Sequence, residues 1–126
     1  MKKALVVDDS RAVRILLTKI LRELGYQVLE AENGREALSA IARERPSLQL
    51  VLSDWYMPEL NGVEMIRQLR ANPRNNRLKI LMITSESDVD QIATALLAGA
   101  NEFVMKPFTP GIVKEKLQLI GISQEC

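Results

Sequence analysis

The sequence contains no histidine. That removes imidazole as a general base, as a zinc ligand and as a phosphoacceptor, so any chemistry must run on carboxylates, hydroxyls and lysine. Cysteine is nearly absent as well. Cys126 is the single one, which excludes an internal disulfide and predicts a cytoplasmic, reducing location. No apolar stretch approaches the roughly 20 residues of a membrane span. The basic start, Met1-Lys2-Lys3, is followed by an apolar run that stops at Asp8-Asp9, too early for a secretory signal. Nor is there an excess of either charge: 17 Lys and Arg stand against 16 Asp and Glu, a formal net of +1. That balance gives no bulk attraction to nucleic acid or to an anionic membrane. Linkers, repeats and low-complexity segments are missing too.

What is present is one ordinary domain. The 126 residues are 47% hydrophobic and 26% charged, enough apolar material for a core without disulfides or metals as staples. Short apolar runs alternate with segments of helical period. Strands are predicted at Ala4–Val7, Gln27–Ala31, Leu50–Leu52, Lys79–Ile83 and Glu102–Met105. The first, third and fourth are continuously apolar, as strands covered on both faces are. The first helix carries Val13, Leu16, Leu17, Ile20, Leu21 and Leu24 and ends at Gly25; the second starts at Asn33 with Glu36 at capping-box spacing and stops before Pro46. A third is predicted from Gly62 to Ala71, a fourth from Val89 to Gly99, and a fifth from Pro110 to Ile120, with Asn72–Arg77 as a polar turn. Strand–helix alternation with short connections implies right-handed crossovers, hence an α/β fold of three layers around a doubly wound parallel sheet.

Polar residues collect at the carboxyl ends of the strands, the edge at which open α/β sheets bind ligands. Asp8 and Asp9 follow the first strand, Asp54 the third, Thr84 the fourth and Lys106 the fifth. If the strand order reverses between the first and third strands, the three carboxylates converge and require a cation among them. With no histidine to help, the fitting metal is hard and oxygen-loving, as Mg²⁺ is. A carboxylate nucleophile, a metal, a lysine and a hydroxyl together suit a phosphoryl group. Trp55 is expected near this mouth; Met57, Met65, Met82 and Met105 are expected in the core. Arg67, Arg70, Arg74 and Arg77 read as a solvated face.

At these residues the chain resembles a known family. Val7-Asp8-Asp9-Ser10, Ser53-Asp54-Trp55-Tyr56-Met57-Pro58 with Gly62, Ile83-Thr84-Ser85 and Val104-Met105-Lys106-Pro107-Phe108 are similar to the motifs of two-component response-regulator receiver domains, single-domain chemotaxis members in particular. The resemblance implies a flavodoxin-like (βα)5 fold with strand order 2-1-3-4-5, residues 1–126 forming one receiver domain with no output domain. It implies Asp54 as phosphoacceptor, with Lys106 and Thr84 contacting the phosphoryl group. Mg²⁺, with Mn²⁺ as a substitute, would be held by Asp8, Asp9, Asp54 and the Tyr56 main-chain carbonyl. A cis bond is expected before Pro107. Thr84 and Phe103 would form a switch, repacking a partner face that includes Val89, Gln91, Ile92, Leu96, Phe103, Met105 and Lys116. The implied phosphodonor is a histidine kinase or phosphotransfer domain, and the implied output a protein target, with the chain monomeric. A phosphate sink or relay, a haloacid-dehalogenase-type phosphatase and a flavodoxin are the competing readings.

Overall fold

Continuous apolarity along a strand has one physical outlet, a sheet covered on both faces. The computed structural model describes residues 2–45, 47–56, 60–85 and 89–122, the Val89 side chain excepted, and it contains that sheet. β1 (Lys3–Val7), β2 (Gln27–Ala31), β3 (Leu48–Asp54), β4 (Lys79–Thr84) and β5 (Glu102–Met105) alternate with α1 (Arg11–Glu23), α2 (Gly34–Glu44), α3 (Gly62–Arg70), α4 (Val89–Ala98) and α5 (Pro110–Leu119). All pairings are parallel, in the order β2-β1-β3-β4-β5. Successive residues of the central strands feed two separate cores. Val6, Leu50, Leu52, Leu81 and Ile83 pack with Leu17, Leu21, Val113 and Leu117 of α1 and α5. Leu5, Val7, Val51, Ile80 and Met82 pack with residues of α2, α3 and α4, among them Ile41, Ile66 and Ala95.

Side-chain caps fix where the helices start. Ser10, Asn33, Asn61 and Thr109 accept from the backbone N–H three residues on in α1, α2, α3 and α5, each cap worth about 1 kcal/mol. The reciprocal half of the α2 capping box is shifted by one residue: Glu36 accepts from the Glu32 N–H. Since every helix begins at the carboxyl edge, these caps also hold the strand-end loops in place. At the other end of α1, Gly25 adopts φ +92°, the left-handed geometry that glycine tolerates best.

Several expectations need correcting. β3 runs Leu48–Asp54, two residues longer at each end than the apolar Leu50–Leu52: exposed Gln49 interrupts the apolar run after buried Leu48, and Ser53 and Asp54 are polar yet buried. β1 starts one residue earlier than predicted, and β4 includes Thr84. Within Asn72–Arg77 lies a short 3₁₀ helix, Pro73–Asn75, and Asn75 is buried. Its amide donates to the Leu69 carbonyl and its oxygen accepts from Arg45. Arg70 is no solvated residue. Its guanidinium donates to the main-chain carbonyls of Gly99 and Asn75 and to the Asn101 side chain, and burial lowers its pKa. Met105 is exposed, since β5 is an edge strand, while Met65 and Met82 are core. Met57 lies outside the described residues.

Candidate functional site

The order reversal between β1 and β3 opens the crevice, and the predicted residues meet there. Asp8, Asp9 and Asp54 each bring a carboxylate oxygen within 4.8 Å of the others. Asp8 and Asp54 are buried and Asp9 is exposed. Lys106, reaching over from the end of β5, places its Nζ 3.1 Å from Asp8 Oδ2 and 3.3 Å from Asp54 Oδ1. Among the described residues, three carboxylates against one ammonium leave two negative charges uncompensated. Burial, and then the Asp8 carboxylate, raise the Asp54 pKa against the opposing pull of Lys106 and of the Trp55 N–H. For Lys106, burial works against the charged form, but the hydrogen bond to Asp8 and the charges of Asp54 and Asp8 prevail, and its pKa rises. A cluster of hard oxygen donors with surplus negative charge fits a small divalent cation such as Mg²⁺ or Mn²⁺.

Main-chain contacts lock this arrangement. The Trp55 N–H donates to Asp54 Oδ1 at 2.8 Å, and the Ser10 N–H donates to Asp8 Oδ1 at 2.8 Å. The Lys106 N–H donates to the Thr84 carbonyl at 2.7 Å, tying the lysine to the end of β4. Thr84 is itself buried. The Lys106–Pro107 bond is cis. Gly62, at the start of α3, donates its N–H to the Trp55 carbonyl. A Cβ there would run into the Asp54 carbonyl and approach the terminal methyl of Met82 at 2.9 Å, so the glycine is a condition of the site's backbone path.

Other predicted residues lie further out. The Trp55 indole is buried in the core beside α2–α4, so only its backbone faces the mouth. Tyr56 is 54% exposed, and its hydroxyl donates to Gln91 Oε1 at 3.5 Å. Phe103 is half-buried against the same core, with the Lys116 ammonium 5.5 Å from its ring centroid. Gln91 and Ile92 are half-buried; Leu96 and Met105 are exposed. Pro58 and the Val89 side chain lie outside the described residues.

One contributor was missed from the sequence. Arg14 of α1 is buried, and its Nη1 donates to the Asp8 carbonyl at 2.6 Å while Nε pairs with Glu30 at 3.1 Å. A signal existed: Arg14 stands on the apolar stripe of α1, with Leu17 and Leu21 three and seven residues on. A cation on a buried stripe asks for a partner.

A doubly wound parallel sheet whose carboxyl edge carries an acidic, cation-fitting mouth with a lysine defines a class of flavodoxin-like proteins. The response regulator receiver domain model matches residues 4–118. The chain belongs to that family, a family of signalling switches whose general function is phosphoryl transfer to an aspartate. It is 42% identical over 119 residues to chemotaxis protein CheY1 of Helicobacter pylori, covering 94% of this chain and 95% of that one. It is 38% identical to the chemotaxis protein CheY of Pseudomonas aeruginosa, covering 94% of each chain. Among solved structures, chemotaxis response regulator CheY4 of Vibrio cholerae superposes with a TM-score of 0.87 at 32% identity, over 95% of this chain and 98% of that one. The receiver domain of a Pseudomonas aeruginosa sensor histidine kinase, solved with magnesium coordinated in its active-site cleft, gives 0.82 at 27% identity, with coverage of 95% and 98%. The phosphatase and flavodoxin readings fall away.

Proposed function

We propose that the chain is a phosphorylation-switched response regulator in which Asp54 accepts the phosphoryl group. The observation that carries this is the Lys106 ammonium between Asp8 and Asp54 in a mouth of three carboxylates. A positive group poised beside a nucleophilic carboxylate can hold the oxygens of a phosphoryl group as it arrives. The Asp54 carboxylate attacks the phosphorus of a phosphohistidine on a histidine kinase or phosphotransfer domain. An O–P bond forms, the P–N bond breaks, and the imidazole leaves with the electron pair. Asp8, Asp9 and Asp54, with the Tyr56 main-chain carbonyl, would hold Mg²⁺, which when bound neutralises the phosphoryl oxygens. Thr84 then hydrogen-bonds the phosphoryl group, and Lys106 pairs with it.

Differential contact is what moves a two-state surface. Thr84 drawn toward the phosphoryl group frees space for Phe103 to turn inward, repacking the face of α4, β5 and α5. Exposed Leu96 and Met105 on that face suit an apolar protein target. Catalysis is confined to the protein's own phosphorylation and dephosphorylation. The match to the Helicobacter chemotaxis protein, over 95% of its length, supports a stand-alone receiver over residues 1–126 and a place in chemotaxis signalling. In this reading the chain works as a cytoplasmic monomer without nucleic acid. The test is direct: a small phosphodonor with Mg²⁺ should add one phosphoryl group to the wild type and none to Asp54→Asn. Acid-stable, base-labile phosphate on the Asn variant at the wild-type rate would refute the assignment.

A further inference from the structure

The amino edge of the sheet, opposite the acid mouth, holds a cavity of about 900 Å³. Its floor is apolar, made by Ile41, Leu48, Leu78 and Ile122. Its rim carries Arg45, Arg74, Arg77 and Lys79, and among the described residues no aspartate or glutamate lines it. None of the four cations makes an ion pair with a described residue. One of them is held in place. Arg45 donates its Nε to the side-chain oxygen of buried Asn75 at 3.0 Å, which is anchored in turn on the Leu69 carbonyl. Among the described residues, the terminal nitrogens of Arg45 have no partner. The carboxyl end of α2 accounts for a basic residue at Arg45 through the helix dipole. It does not account for Arg74, Arg77 and Lys79, which lie on the connection after α3 and at the start of β4.

Four cations with no ion-pair partner among the described residues, set around an apolar floor, are complementary to a flat apolar body that carries more than one anionic group. Guanidinium forks take phosphate oxygens in pairs. The amides of Gln49 and Asn76 on the lining offer both donors and acceptors for the edge of a heterocycle. The volume lies within the roughly 300–1,000 Å³ of ordinary ligand pockets. We propose that this cavity is a binding site for a nucleoside di- or triphosphate, separate from the phosphoacceptor mouth. β3 runs from Leu48 on the floor to Asp54 in the mouth, so the two sites stand about 20 Å apart along one strand.

The test is a titration of ¹⁵N-labelled protein with ADP and with ATP, with a chelator present so that no metal bridges nucleotide to the acid mouth. Saturable shifts at the amides of Gln49, Asn76 and Lys79 are expected. Arg74→Glu with Arg77→Glu should weaken binding by about tenfold or more, while Asp54→Asn should leave it unchanged. Both arginines are exposed, so folding is not at stake, and the unperturbed amides of the α1 side would confirm it. Failure to saturate at millimolar nucleotide would overturn the proposal. So would shifts centred on Asp8 and Asp54, or equal shifts from inorganic phosphate alone. A polyglutamate peptide binding the same amides about tenfold more tightly than ADP would reassign the cavity to an acidic protein segment.

Discussion

Replacing Lys106 by alanine separates two roles for that residue. In one it prepares an open mouth for a phosphoryl group; in the other it holds the carboxylates in place. The ammonium lies 3.1 Å from Asp8 and 3.3 Å from Asp54, and at water-like permittivity each contact is worth about 1.3 kcal/mol. A dication drawn to the same carboxylates competes with both contacts, so removing the lysine should tighten Mg²⁺ binding by about 1–2 kcal/mol, or about tenfold. The gain should shrink with added salt, which screens the open side of the mouth. It should also shrink as the pH falls into the carboxylate range. Lys106 opposes the rise in the Asp54 pKa, so without it Asp54 is protonated at a higher pH and is lost as an anionic donor sooner. Calorimetry gives the affinity. The Trp55 amide resonance gives the location, since that N–H donates to Asp54 Oδ1; the indole, buried in the core, is the less direct probe. Phosphorylation should fall in the same variant, so metal affinity and phosphoryl acceptance move in opposite directions. Weaker Mg²⁺ binding in Lys106→Ala would show that the lysine is a structural clamp.

Two further substitutions probe the phosphorylated state. Phe103→Ala should leave the phosphorylation rate nearly intact while weakening any phosphorylation-dependent partner; because the ring is only half-buried, the stability loss should stay below the ~3–5 kcal/mol of a core phenylalanine. Equal loss of partner binding with and without phosphate would mark it as packing alone. Tyr56→Asn should shorten the lifetime of the acyl phosphate, about tenfold for a barrier change of ~1.4 kcal/mol, if the bulky, exposed side chain two residues after Asp54 limits the approach of water. A lifetime unchanged or longer, measured by loss of radiolabel, removes Tyr56 from that gate.

The strands were readable because their physics is local. Residues such as Leu5, Val51 and Ile80 are apolar whichever face they take, and only a sheet buried on both sides accommodates such runs. Asp8, Asp54 and Lys106 were found for a similar reason, as charges abutting apolar strands at one edge. The features that escaped are non-local. Arg14 satisfies itself on a main-chain carbonyl, and Arg70 on carbonyls contributed by two other segments; a carbonyl has no residue type, so no motif announces it. The indole of Trp55 turned into the core because successive side chains at a strand end point to opposite faces. The carboxyl end of β3 was hidden by the site itself, where polarity ordinarily marks a strand's end.

The brace made by Arg70 gives α4 a mechanical character. Gly99, just past the last turn, has φ +126°, and a Cβ there would collide with the Arg70 side chain; the same guanidinium holds the Gly99 carbonyl and the Asn101 side chain. The carboxyl end of the helix is thereby pinned. The ten residues of α4 span about 15 Å, so a tilt of about 5° about the fastened end moves the opposite end by about 1.3 Å, with little sliding of the helix as a whole. Amide exchange should therefore slow along α4 from Asp90 toward Ala98, and Arg70→Ala should flatten that gradient; a uniform profile in the wild type would mean the helix has no fixed end. Thr84 ends the strand that leads into this helix, so a small pull at the mouth acts where the lever gives most travel.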